Sequence, residues 1–289
     1  MINPYGGAAQ SKGAVENLQQ LLATRLAGAH VDIVQHGAEL ADRARAARAS
    51  GANVIAAAGG DGTLSAVAQA LVGSDVRFGV LPFGTRNHFA RDIGLLLDLG
   101  QAVDLLKSDL TRRIDVGSIN GRYFLNNASI GLYPELVELR NQEHWTASKL
   151  LQTIAAARSL ARAARSIPIE LHSPERTIQQ QAWTVFVGNN SYSLNPLKTG
   201  RRTRLDAGVL EVIVVPARVR WMAARLAVRA ARGHTLDKQS LHLEADQATL
   251  RLPSDASSEV AIDGEVMSFE QPLSFCSVPK SLSTIAPMA

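Results

Sequence analysis

Cysteine is nearly absent from this sequence. Cys276 stands alone, which excludes an internal disulfide and any metal site built on several thiolates, and suits a reducing compartment such as the cytoplasm. Long apolar runs are absent as well: no stretch approaches the roughly 20 residues a membrane-spanning helix needs, and the opening "MINPYGG" has neither a basic n-region nor an apolar core. Any meeting with a membrane is therefore expected from its surface, on the inner face. A large excess of one charge is missing too, with 30 Lys+Arg against 26 Asp+Glu, so no strong nucleic-acid footprint exists and no nucleic acid is expected as a partner. The sequence contains no low-complexity tract and no internal repeat.

What is present is apolar substance. A chain of 289 residues, 46% of them hydrophobic, can build one large domain or two modest ones with cores of their own. Up to Ser108, short apolar runs alternate with helical patterns. Glu16 to Ala27 and Leu40 to Gly51 have helical spacing, the second ending in a glycine that suits a C-cap, while His30 to His36 reads as a strand. The strand "NVIAAA", the turn Gly59-Gly60-Asp61-Gly62-Thr63, the helix "LSAVAQALVG" and the strand "RFGVLP" follow. Strands separated by helices imply parallel pairing in an open α/β sheet, whose ligands bind beyond the carboxyl ends of the strands. After Arg112 the pattern becomes mainly antiparallel β, with a hairpin signal at Asn120-Gly121 and helical segments at 134–166 and 218–233. Trp183 and the Val185 to Val187 run read as core of this half. The change of pattern is abrupt rather than linker-like, which predicts a cleft between packed domains.

A strand that runs into Gly-Gly-Asp-Gly-Thr and then a helix lets backbone N–H groups approach a phosphate closely, with the partial charge of the helix N-terminus added. Asp61 would repel a bare phosphate. Two readings satisfy it: a cap on the helix that begins near Leu64, or a partner for a Mg²⁺ ion or a substrate hydroxyl lying in between. A second turn, Leu81 to Gly94, again follows a strand, with Pro82 and Gly84 shaping the bend and Thr85 and Asn87 offering short polar groups where a helix begins. A third, Asn3 to Gly13, opens the chain ahead of a helix. Three such turns at one edge of a parallel sheet favour nucleotide binding.

Gly59 to Thr63 followed by P-x-G-T-x-N-x-F-A-R over Pro82 to Arg91 resembles the diacylglycerol kinase catalytic domain family, which also includes sphingosine and ceramide kinases and bacterial lipid kinases. The resemblance continues through "RRIDVGSING", "FLNNASIGLYPELV", "VGNN", "RLDAGVLEV" and "IDGE". It implies an α/β plus β fold: a phosphofructokinase-like parallel α/β nucleotide-binding domain over 1–112, to which 277–289 return, followed by an antiparallel β-sandwich acceptor domain over 113–276. ATP and Mg²⁺ are the implied cofactors, bound between the domains. The implied reaction moves the γ-phosphoryl group of ATP to the hydroxyl of diacylglycerol or a related lipid at an anionic membrane surface, and a homodimer is left open. By the same resemblance Glu265 of the D-G-E turn is the catalytic base, with Asp263 beside it, and Asp61 belongs to a water and Mg²⁺ network or faces the acceptor hydroxyl. Asn3, Gly7, Gly59, Gly60, Gly62, Thr63, Gly84, Thr85 and Asn87 contact ATP, and Asp61, Asp115 and Asp206 belong to the metal network. Read without the resemblance, Asp263-Gly264 is an ordinary hairpin signal, and Asp115 is equally a strand-end acid near Arg112 and Arg113.

The sequence departs from the family pattern at three places. Ala207 stands where many bacterial members have the second Asp of D-D-G, which removes a hard oxygen ligand from a structural Mg²⁺ site. Gly6 replaces a serine of the first turn, and the chain begins almost on that turn, which leaves room for a start upstream. Two competing readings follow: a sphingoid-base or soluble small-molecule kinase, and a non-catalytic nucleotide- or lipid-binding regulatory protein. Arg158, Arg162 and Arg165, and again Arg225, Arg229 and Arg232, share a helix face and suit either an anionic lipid surface or plain solvent. Lys198, Arg201, Arg202 and Arg204 read as a phosphate-holding or a solvated loop, and His88 as structural.

Overall fold

The computed structural model describes residues 1–5, 13–95, 98–131, 166–192, 202, 204–217 and 240–287. The helical segments expected at 134–166 and 218–233, with their arginine stripes, lie outside these residues but for Ser166. So do Gly6, Gly7, Lys198 and Arg201.

In the first half, apolar residues at helical spacing give α1 (Ala14–Arg25) and α2 (Leu40–Ala49), the latter stopped by Gly51 at φ 87. The small and β-branched residues between them and the next glycines form β1 (Val54–Gly59), which pairs in parallel with β2 (Arg77–Pro82). The register places Gly59 opposite Pro82, so both strands end at one level and the turns that leave them lie side by side. Those turns feed α3 (Asp61–Ala68) and the short α4 (His88–Asp92); α5 (Leu99–Leu105) follows. Phe89 is fully buried and packs on Phe78 of β2 with ring centroids 6.3 Å apart, a burial that contributes about 2 kcal/mol and fixes α4 to the sheet. The strand expected at His30 to His36 is reduced to one bridge, Ile2 to Ile33, because its neighbour offers only Ile2 before the chain turns at Pro4.

Among the described residues, the strands of the second half pair with one another in antiparallel fashion. β3 (Thr111–Ile119) and β4 (Arg122–Phe124) are joined by Asn120 and Gly121, whose positive φ values of 45 and 84 are those of a tight hairpin. Next come β5 (Asn127–Gly131), β6 (Ile167–His172), β7 (Thr177–Asn189), β8 (Leu210–Pro216), β9 (Leu241–Ala245), β10 (Gln247–Arg251), β11 (Glu259–Ile262), β12 (Glu265–Ser268) and β13 (Leu273–Ile285). The long β7 pairs with β5, β6 and β8, and Trp183, Val185 and Val187 are buried in it.

Two apolar cores result, one around Leu64, Phe78, Phe89 and Val103, the other around Ile130, Val185, Val212 and Phe275. β13 belongs to both. Its Leu273 and Phe275 lie in the second core and its Leu282 and Ile285 in the first, and it runs antiparallel to β3 and β10 while meeting β2 in parallel at Thr284 and Phe78. The fold is therefore α/β plus β, with one mixed sheet passing through both parts.

Candidate active site

Gly59 and Gly84 are needed for space rather than for dihedral angles, since Gly59, Gly60, Gly62 and Gly84 all lack a left-handed φ. A Cβ on Gly84 would lie 2.4 Å from the Cα of Gly60, so the two turns touch backbone to backbone. A Cβ on Gly59 would strike the side chain of Thr63 at 2.5 Å. Thr63 is buried and its hydroxyl accepts from the Asn3 side chain at 2.9 Å, which ties the turn that opens the chain to the Gly59–Thr63 turn.

Asp61 does not cap the helix in which it sits. α3 begins at Asp61 with Gly60 as its N-cap and no side-chain cap, and the Asp61 carboxylate instead accepts from the backbone amides of His88 (3.2 Å) and Phe89 (2.9 Å) at the start of α4. The isolated acid of the first turn thus holds the helix of the second. Asn87, in the left-handed region at φ 50, folds its side chain back on Gly84, accepting from its N–H at 2.9 Å and donating to its carbonyl at 2.8 Å. Thr85 and Arg86 between them are exposed. Asn3, Thr63 and Asn87 therefore spend their side chains inside the turns, leaving backbone groups and Thr85 to face a ligand.

The D-G-E segment is a two-residue hairpin: Ile262 pairs with Glu265, and Asp263 and Gly264 have φ of 48 and 94. Its aspartate also reaches across to the β4–β5 segment, where the amides of Leu125 (2.8 Å), Asn126 (2.8 Å) and Asn127 (3.1 Å) donate to it. Burial raises the Asp263 carboxyl above its ordinary value, opposed by these amides and by the Ser65 hydroxyl of α3. Glu265, next but one, is exposed and accepts no hydrogen bond from any described residue. Its Oε1 lies 2.7 Å from where a Gly62 Cβ would be, so the carboxylate rests against the first glycine turn. α3 joins the two parts a second time through Gln69, which exchanges hydrogen bonds with the main chain of Tyr123.

The acids expected to share a metal are not brought together. Asp115 is buried and accepts from the amides of Gly208 (2.7 Å) and Lys280 (2.8 Å), one per oxygen. Asp206 instead faces Arg204 at 3.3 Å and Arg112 at 3.6 Å. Asp61 is occupied at α4, and among the described residues no group of three or more His, Cys, Asp or Glu is placed to hold an ion. A resident Mg²⁺ at Asp115 and Asp206 does not fit this chain: Ala207 offers no side-chain ligand, its amide donates to Asn190, and guanidinium groups already supply the positive charge. Stripping divalent ions with EDTA from the nucleotide-free protein is accordingly expected to leave its Tm unchanged relative to millimolar MgCl₂. A loss of several degrees would restore a structural ion.

Sequence reasoning missed a buried cluster beside these turns. Arg202, expected in a loop, is inside, paired with Asp92 of α4 at 2.8 Å, with side chains 0% and 2% exposed. Asn189 donates to the carbonyls of Asp115 and Leu125, and the Tyr192 hydroxyl donates to Asn126; burial pushes Tyr192 to about 12, so it remains a donor. A cavity of about 780 Å³ lies between Met1, Leu22, Val54 and Leu106 and is lined by none of the site residues.

Glycine turns packed at the carboxyl ends of parallel strands, with an exposed carboxylate from an antiparallel β part laid against them, define a two-part α/β plus β protein with a phosphate-compatible junction. Residues 1–119 match the model of the diacylglycerol kinase catalytic domain, and residues 127–286 match the YegS C-terminal NAD kinase beta sandwich-like domain; the chain belongs to the diacylglycerol kinase family of lipid kinases. It is 27% identical to a diacylglycerol kinase of Bacillus subtilis, over 74% of this chain and 71% of that one. It is 22% identical to the uncharacterized protein sll0036 of Synechocystis, over 100% and 70%. Among solved structures, a diacylglycerol kinase from Bacillus anthracis superposes with a TM-score of 0.72 at 22% identity, covering 99% of this chain and 95% of that one. No helix among the described residues is long and apolar enough to cross a membrane.

Proposed function

We propose that this chain is an ATP-dependent lipid kinase that transfers the γ-phosphoryl group to the hydroxyl of diacylglycerol or a related lipid alcohol. The observation that carries this reading is the contact of Glu265 with Gly62: an exposed carboxylate with no hydrogen-bond donor among the described residues, held against a glycine turn whose following helix has no side-chain cap. ATP enters as its magnesium complex, a substrate of the reaction. Backbone amides at the start of α3 and the close-packed Gly60 and Gly84 receive the phosphates, where partial positive charge favours them. Glu265 accepts the proton of the lipid hydroxyl as its oxygen bonds to the γ-phosphorus; the bond to the bridging oxygen breaks and ADP leaves. Asp61 and Asp263 act on position, one holding α4 and the other the β4–β5 segment, so that little covalent chemistry is asked of the protein. The names of the bacterial relatives support diacylglycerol as first acceptor.

The test is incubation of the purified chain with ATP labelled on the γ-phosphate and mixed micelles carrying diacylglycerol, monoacylglycerol, phosphatidylglycerol, ceramide or sphingosine. Label in diacylglycerol is expected. Label in sphingosine alone would move the acceptor to a sphingoid base, and ATP binding with no label in any acceptor would overturn the kinase reading.

A further inference from the structure

We infer that Arg202 is a positioning residue of this site, the link that holds the turn bearing Glu265 in register with the glycine turn bearing Asp61. The inference rests on the kinase reading for its effect on turnover and on the contacts alone for its mechanics.

The contacts close a ring. Asp61 holds the first amides of α4, at His88 and Phe89. Asp92, the last residue of α4, accepts from the Arg202 Nε at 2.8 Å. The other side of the Arg202 fork donates to the carbonyls of Leu125 and Asn189 (3.2 Å) and to the Asn126 side chain (3.1 Å). The amides of Leu125, Asn126 and Asn127 are in turn the groups that Asp263 holds. Two residues on, Glu265 lies against Gly62, the neighbour of Asp61. Arg202 is the one member of this ring that touches α4 and the β4–β5 segment at once.

A buried ion pair is a poor source of stability, since the desolvation of two charges offsets most of their attraction and an apolar pair of the same volume often serves the fold as well. What a planar guanidinium supplies is direction: its fixed donors accept one arrangement of Asp92, Leu125 and Asn126. With both side chains almost wholly excluded from water, the pair cannot relax toward solvent. Slippage of α4 against the β4–β5 segment would therefore leave a buried charge unpaired, and the distance from Glu265 to the glycine turn is fixed accordingly.

Two variants test this. Arg202→Gln leaves Asp92 buried without its cation, and Asp92→Asn/Arg202→Gln replaces the ion pair by a neutral hydrogen-bonding pair, which keeps a folded protein available should the single variant fail to fold. In the double variant kcat is expected to fall at least tenfold while the KM for ATP changes less than threefold, because the glycine turns are intact and only their register with Glu265 is loosened. Amide exchange measured on the nucleotide-free double variant is expected to speed up at least tenfold both at His88–Phe89 and at Leu125–Asn127, with the α1 and β1 amides unaffected. Unchanged kcat in the active enzyme, a kcat loss matched by the loss in ATP affinity, or faster exchange at only one of the two segments would each overturn the inference. If the unmodified chain transfers no phosphate to any lipid, the kinase reading fails, and the exchange result still decides whether Arg202 couples the two segments.

Discussion

Glu265→Gln is expected to lower kcat by roughly 100- to 10,000-fold, the usual weight of a general base, with ATP affinity and Tm nearly unchanged. The carboxylate is exposed and accepts nothing from the described residues, so the fold loses no partner when the amide replaces it. The amide is the same size and still fits beside Gly62, but it cannot take a proton from an attacking hydroxyl. Steady-state kinetics with lipid in mixed micelles, set beside a thermal melt and an ATP titration, check all three parts. Wild-type turnover in this variant would remove Glu265 from its role and leave the contact with Gly62 without a catalytic meaning. A loss of turnover accompanied by a large drop in Tm would instead mark the D-G-E hairpin as structural.

Gly84→Ala should have a large effect for one added methyl group, because it strikes backbone at the junction of the two glycine turns. The new Cβ would sit 2.4 Å from the Cα of Gly60 and 2.8 Å from the Asn87 side-chain oxygen; the first of these is backbone and cannot swing aside. Overpacking of this kind costs about 1–3 kcal/mol, and here relief means driving the two turns apart at the place proposed for the phosphates. A rise in the KM for ATP of at least tenfold is expected, with a Tm lowered by several degrees. Gly37→Ala is the control: nothing lies within 4 Å of its Cβ position, and it should melt and turn over like the parent. Equal behaviour of the two variants would mean that the turns can separate without consequence, and that the nucleotide binds elsewhere.

What could be read from the sequence follows from how local each constraint is. The glycine turns are legible because their need for tiny residues is written within a few positions of each strand end, and the Asn120-Gly121 hairpin because its positive φ values demand those residue types. Asp61 is half legible: its isolation among glycines marks it, but its partners at His88 and Phe89 are 27 and 28 positions away, so a cap on its own helix is the nearer guess. Asp115 and Asp206 are read as metal ligands through the family resemblance, not from their local sequence. Only the structure shows one satisfied by amides and the other by arginines. Arg202 was legible least. Nothing local distinguishes it from Arg201 or Arg204, and its partner Asp92 is 110 residues earlier, so its burial is a fact of tertiary structure alone. The strand expected at His30 to His36 fails for the opposite reason, a sound local pattern whose neighbour is too short to pair with it.

β13 has a consequence for the time course of folding. As the chain leaves the ribosome, β1 and β2 and the turns they carry are made early, yet the strand that covers the other side of β2 and pairs with the length of β3 is the last of the described sheet to be synthesised. Until it arrives, Phe78 and Ile114 wait without Leu282 and Ile285, and the nascent first half carries an open sheet edge. Both halves are thus completed by one late event, and contacts of such long sequence separation form slowly. A nascent chain stalled before Leu273 would leave two unfinished cores for chaperones to shield, and the glycine turns would become rigid only after the antiparallel half has been built.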